Sequence, residues 1–233
     1  MHARPPKQLT RRRALGMVGA MVAAAWGAGA EVARAERAAP QKKGKLQSVS
    51  SSKIGVTLTF HLKNAPFPKG SKYDDPSVIV FVPAYFRLPK ARKVDVLVHF
   101  HGHNTTAKKA MVKHRLREQM HDSKQNAILV MPQGPVNAAD SSGGKLDHKG
   151  GLSRMLSELL REIGKPAAGK ALKKSSLAGV KAVRHLILSA HSGGYRVASS
   201  CLRRGGINVN ETFLFDALYG QVPAFRRWVV ARK

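Results

Sequence analysis

The chain has 233 residues, 43% of them hydrophobic and 23% charged, which is ordinary globular usage and excludes collagen, a long coiled coil and wholesale disorder. Lys and Arg number 41 against 13 Asp and Glu, a formal net charge of +28, and the single cysteine, Cys201, excludes an intramolecular disulfide framework and a multi-cysteine zinc site. A charge of this size implies attraction to polyanions. The basic residues are scattered, and no aromatic-interleaved patch or nucleic-acid motif accompanies them, so no specific nucleic-acid partner is expected.

Residues 1–13 carry Arg4, Lys7, Arg11, Arg12 and Arg13 and no acid. Residues 14–30 are without charge and rich in Ala and Gly, and Ala33-Arg34-Ala35 places small residues around a cleavage point before Glu36. A basic, then apolar, then small-x-small order is that of an export signal. Thr10-Arg11-Arg12-Arg13-Ala14-Leu15 resembles the twin-arginine consensus. That resemblance implies passage through the twin-arginine export machinery of a bacterium to the periplasm or the exterior. Cleavage after Ala35 would remove six basic residues and one acid and leave +23 over 198 residues. The surplus survives, and anionic envelope polymers are the partners it suggests.

Residues 36–52 are polar and low in complexity and read as a flexible linker, leaving 53–233 as the folded domain. Runs 54–62 (IGVTLTFHL) and 78–86 (VIVFVPAYF) are β-rich and predict an antiparallel pair. Run 94–100 (VDVLVHF) predicts a buried strand, 110–124 a helix, and 127–131 (AILVM) a further strand. A Gly/Ser/Asp-rich loop follows over 133–151. Leu152, Met155, Leu156, Leu159, Leu160 and Ile163 form one stripe of an amphipathic helix. Run 183–189 predicts a strand, 195–203 a helix, 212–215 a strand and 222–230 a final helix. Strands alternating with helices after a hairpin predict an α/β fold, a mostly parallel sheet with helices on both faces. Sites in such sheets lie at the carboxyl ends of the strands.

Ala190-His191-Ser192-Gly193-Gly194 falls between a predicted strand and a predicted helix. A turn this tight strains the central residue and requires small residues two positions to either side, which Ala190 and Gly194 supply. Ser192 would stand clear of the sheet at the positive end of the following helix, beside the Gly193 N–H. With this strand–turn–helix context the chain over 54–233 resembles an α/β-hydrolase, the family's GxSxG appearing with alanine first. His101-Gly102-His103 is similar to the family's oxyanion turn after its third strand. The resemblance implies Ser192 as nucleophile, and an oxyanion site made by the Gly193 N–H with that of Gly102 or His103. It also implies an acid following Ser192 in the chain, for which Asp216, directly after the predicted strand 212–215, is the candidate.

The family places its histidine base after the acid, and no histidine follows His191. The family's last strands are then expected to be missing, the 212–215 strand to be an exposed edge, and the enzyme to be inactive unless His101 or His103 substitutes as the base. The expected reaction is acyl ester or amide hydrolysis, with no cofactor. Two alternatives stand beside it. One is a non-catalytic exported protein held to anionic polymers by charge. The other is a metal-dependent hydrolase using the alternating His99, His101 and His103, with Asp140 as a carboxylate ligand.

Overall fold

The computed structural model describes residues 45–231; the export signal expected over 1–35 lies outside them. Seven strands form one sheet in the order β1-β2-β3-β5-β4-β6-β7. They are β1 (Leu46–Ser51), β2 (Gly55–His61), β3 (Ser77–Pro83), β4 (Lys93–Phe100), β5 (Ala127–Pro132), β6 (Ala182–His191) and β7 (Glu211–Phe215). The pairings from β1 to β5 are antiparallel, and those joining β5, β4, β6 and β7 are parallel. The parallel half carries the candidate site. β7 stands at the edge of the sheet, as expected for 212–215.

Alternation along the strands explains the two layers. Val78, Val80 and Val82 of β3, with Ile128 and Val130 of β5, point into the main core. Their neighbours Ile79, Phe81, Leu129 and Met131 point to the other face. Two short helices, α1 (Ala107–Lys113) and α2 (Leu116–Asp122), cover that second face. The main core lies under α3 (Gly151–Ile163), α4 (Pro166–Leu172), α5 (Tyr195–Arg204) and α6 (Val222–Val230). Helices on both faces of a largely parallel site-bearing half make an α/β-hydrolase-like fold. All six residues of the predicted α3 stripe are buried.

Three elements differ from the sequence expectation. The linker read over 36–52 ends in structure: Leu46–Ser51 is an edge strand paired antiparallel to β2. A buried carboxylate holds its start. Glu158 of α3, 2% exposed, accepts from the Lys45 ammonium and from the backbone N–H groups of Lys63 (3.1 Å) and Asn64 (2.8 Å). The single helix expected over 110–124 is broken at Arg115, whose φ of 51° is left-handed and cannot continue a helix. Helix α4 was hidden in the sequence by Pro166 and Gly169; proline sits in its first turn, where no intrahelical N–H is needed.

Candidate active site

Strands β4 and β6 are parallel neighbours, with Phe100 opposite Ala190. The chain therefore leaves both strands side by side, at the reversal of strand order where α/β sheets form crevices. After β6 a single 3-10 turn, Ser192–Gly194, leads directly into α5. Ser192 has φ 48°, a left-handed conformation that costs a side-chain-bearing residue roughly 1–2 kcal/mol. The surroundings enforce it. A β-carbon on Gly194 would lie 2.7 Å from the Phe100 carbonyl oxygen, and one on Gly102 would lie 2.9 Å from Cβ of Ser192. One on Gly193 would fall 2.2 Å from the His103 ring. The glycines are what let the two turns touch. Ser192, Gly193, Gly102 and His103 are thereby brought together.

The three alternating histidines do not converge. His99 is buried, and its Nδ1 lies 2.7 Å from Ser189 Oγ on the neighbouring strand. Burial, with His114, His191 and His101 nearby, pushes its pKa down to about 3. His101 is also buried. Its Nδ1 donates to the Gly102 carbonyl (2.7 Å), and its Nε2 accepts from the Gly134 N–H (3.0 Å). Burial lowers its pKa, against a smaller opposing effect of the Gly102 carbonyl. Both nitrogens being committed, His101 staples the turns after β4 and β5 and has no free nitrogen for Ser192, which corrects its reading as a substitute base. His103 is exposed, with Nε2 2.7 Å from Ser141 Oγ. Three rings with three separate partners also correct the metal reading of His99, His101 and His103. Among the described residues no three His, Cys, Asp or Glu side chains are grouped to hold a metal ion.

His191 packs its ring against that of His114, with centroids 4.7 Å apart, and its Nδ1 lies beside Gly102. Adjacent residues on a strand point to opposite faces, so with Ala190 in the main core His191 faces the α1 side.

The loop after β5 closes over the same corner. Asp140, the carboxylate proposed as a metal ligand, is instead tied to protein. It accepts from the Tyr73 hydroxyl (2.6 Å), Lys72 Nζ (3.1 Å), and the N–H (2.8 Å) and hydroxyl (2.9 Å) of Ser142. Burial works to raise its pKa, but these donors outweigh it and hold the carboxyl well below the usual carboxylate range. Asp140 thus anchors the segment that presents Ser141 to His103. A cavity of about 20 Å³, water-sized, lies beneath, lined by Phe100, Pro135, Leu146, Gly193, Gly194 and Val197 among others. Sequence reasoning missed Ser141, and no signal marks one serine within a Gly/Ser/Asp-rich loop.

Asp216 follows β7, whose Phe215 pairs with His191, so it occupies on β7 the place that Ser192 occupies on β6. It too is left-handed, with φ 44°. Its side chain is exposed and bonds Tyr219, raising the pKa of that phenol. The carboxylate expected as a triad acid therefore meets a tyrosine. Cys201 is fully packed in α5, where burial, and to a lesser extent Asp147, pushes its thiol pKa up. It is a core residue, as the sequence implied.

No family profile matches the chain, and no curated protein matches it. Among solved structures it is similar to an esterase B from Lactobacillus rhamnosis bound to a tributyrin phosphonate inhibitor. The identity is 13% and the TM-score 0.35, over 88% of this chain and 57% of that one. It is also similar to the feruloyl esterase module from Clostridium thermocellum complexed with sinapinate, at 14% identity and TM-score 0.40, over 84% of this chain and 67% of that one. A rice cell wall degrading esterase, LipA from Xanthomonas oryzae, is similar at 16% identity and TM-score 0.30, over 70% of this chain and 39% of that one. The chain thus spans between about two-fifths and two-thirds of the length of these structures.

Proposed function

We propose that this chain is an exported serine hydrolase that cleaves an acyl ester or amide, with Ser192 as nucleophile. The observation that carries the reading is the left-handed Ser192, crowded from both sides by glycines, at a turn from a parallel strand directly into a helix. Holding a serine in that conformation costs stability, and residues held so cluster at functional sites. In the proposed step Ser192 Oγ attacks the acyl carbonyl. The N–H of Gly193, with that of Gly102 or His103, takes up the charge on the carbonyl oxygen at the N-terminus of α5. His103 receives the serine proton. It is the imidazole set against the elbow glycine, and its only committed nitrogen bonds an exchangeable hydroxyl. It then protonates the departing alcohol or amine, and water releases the acyl group in a second, mirrored step. Asp216 serves to shape the end of β7 through Tyr219. The segment 1–35 supplies the export signal.

A fluorophosphonate probe tests this directly. Wild-type protein should form a covalent adduct on Ser192, lost in Ser192→Ala, and His103→Asn should slow its formation. Absence of an adduct under all these conditions sinks the reading. The surplus positive charge supports the second reading, a non-catalytic binder of anionic envelope polymers. That reading predicts salt-sensitive polymer binding with no adduct.

A further inference from the structure

Among the described residues, eight large hydrophobic side chains are exposed, and seven belong to three consecutive pieces of chain at one edge of the sheet. Phe213 and Phe215 stand on β7 and face the α2 side of the sheet beside Leu116 and Met120, whereas Leu218 and Tyr219 on the turn after it and Val222, Val229 and Val230 on α6 lie on the other side. The five on the turn and α6 are the concentrated apolar exposure that marks a contact surface. On α6, Val222, Arg226, Val229 and Val230 fall at i, i+4, i+7 and i+8, one stripe of the helix. The opposite stripe, Ala224 and Phe225 with the half-buried Trp228, packs into the core. Helix α6 is therefore apolar on its inner and its outer side, with an arginine set in the middle of the outer one. Arg227 beside it, and Arg203 and Arg204 at the end of the α5 helix against which α6 packs, are exposed as well.

Charge selects the occupant. A second copy would match the apolar residues but brings another +28 with it. A soluble polyanion matches the charge and offers nothing to Leu218, Tyr219 or the three valines. An anionic bilayer surface matches both, because aliphatic and aromatic side chains enter the boundary between headgroups and acyl chains while Arg stems reach to the phosphates. No helix among the described residues is long and apolar enough to cross a membrane, so contact from this edge is peripheral.

We propose that the β7–α6 edge docks on the surface of a bilayer containing anionic phospholipid, with Val222, Val229 and Val230 entering the interface and Arg226 and Arg227 binding lipid phosphates. Docking is independent of the hydrolase reading and does not require Ser192.

The full chain with Val230→Cys, labelled with an environment-sensitive fluorophore, tests the proposal, since the native Cys201 is buried and inaccessible to the label. Lys69→Cys, on the exposed turn between β2 and β3, is the control site. Vesicles of phosphatidylglycerol with phosphatidylcholine should blue-shift the probe at 230 and leave the probe at 69 unchanged, and pure phosphatidylcholine should do neither. Val222→Ser with Val229→Ser, and separately Arg226→Gln with Arg227→Gln, should each raise the lipid concentration required by about tenfold or more. The proposal is overturned by no shift at 230 with anionic vesicles, by equal shifts at 69 and 230, or by binding indifferent to the valine substitutions. A concentration-dependent shift at 230 without lipid overturns it in favour of a second copy.

Discussion

Gly102 and Ser192 pack so closely that a β-carbon on the first would stand 2.9 Å from the β-carbon of the second. The turn after β4 is thereby pressed onto the elbow after β6. Gly102→Ala should lower fluorophosphonate labelling of Ser192 and destabilise the fold by about 1–3 kcal/mol, the usual range for overpacking. Labelling rates and denaturant midpoints measured together check this. A fully active, equally stable Gly102→Ala would mean that the two turns are not in contact.

Strain at Ser192 makes a separate prediction. Ser192→Ala and Ser192→Gly both remove the hydroxyl, but only glycine relieves the left-handed φ of 48°. Ser192→Gly should therefore be more stable than Ser192→Ala by about 1 kcal/mol in urea unfolding, with neither labelled. Equal stabilities would show that the turn is unstrained.

His99 ties stability to pH. Burial lowers its folded pKa to about 3, below the ordinary value of 6.5 for the unfolded chain. Between those values the unfolded state binds the extra proton, so stability falls as pH drops below about 6.5, by at most about 1.4 kcal/mol per pH unit from this group. His101 shifts the same way. His99→Leu should flatten the slope of unfolding free energy between pH 6 and pH 4. It should also cost about 1–3 kcal/mol at neutral pH by leaving Ser189 without its partner. An unchanged slope would place His99 in water.

Glu158 ties stability to pH in the same direction, though as a carboxylate. Burial works to raise its pKa, but Lys45 and the Asn64 and Lys63 amides outweigh it and lower the folded value. Its contribution is present above the unfolded pKa and is lost as pH falls through the lower folded one. Glu158→Ala strands two backbone N–H groups near α3 and should destabilise by about 2–4 kcal/mol, with β1 loosened first. Amide exchange at Leu46–Ser51 would rise above that of β2, and uniform exchange across both strands would contradict it.

The local signals of this chain were legible because they are short-range. The strand–turn–helix pattern around Ser192 and the α3 stripe depend on steric fit and on period within a dozen residues, and both stand in the structure as read. The expected antiparallel pair also formed, because alternation in β2 and β3 leaves each strand two distinct faces. What failed depended on distant partners. Leu46–Ser51 carries too little hydrophobicity to announce a strand; it is held by its pairing to β2 and by Glu158, more than a hundred residues later, which bonds Lys45. Arg115 has no feature that forbids a helix, and its left-handed turn appears only when α1 and α2 are laid on the sheet.

The histidines divide along the same line. By itself the sequence determined that several imidazoles stand near a strand end, and that a serine sits on a tight turn between small residues. Only the tertiary structure decided which nitrogens are free. His99 is bonded to Ser189, His101 to Gly102 and Gly134, and His103 to Ser141. Apart from the His101–Gly102 bond between neighbours, these distances are set by the register of parallel strands and by loops from elsewhere in the chain. Local sterics are written in neighbouring residues, whereas the partner of a side chain is chosen by packing, and packing joins residues that the sequence holds far apart.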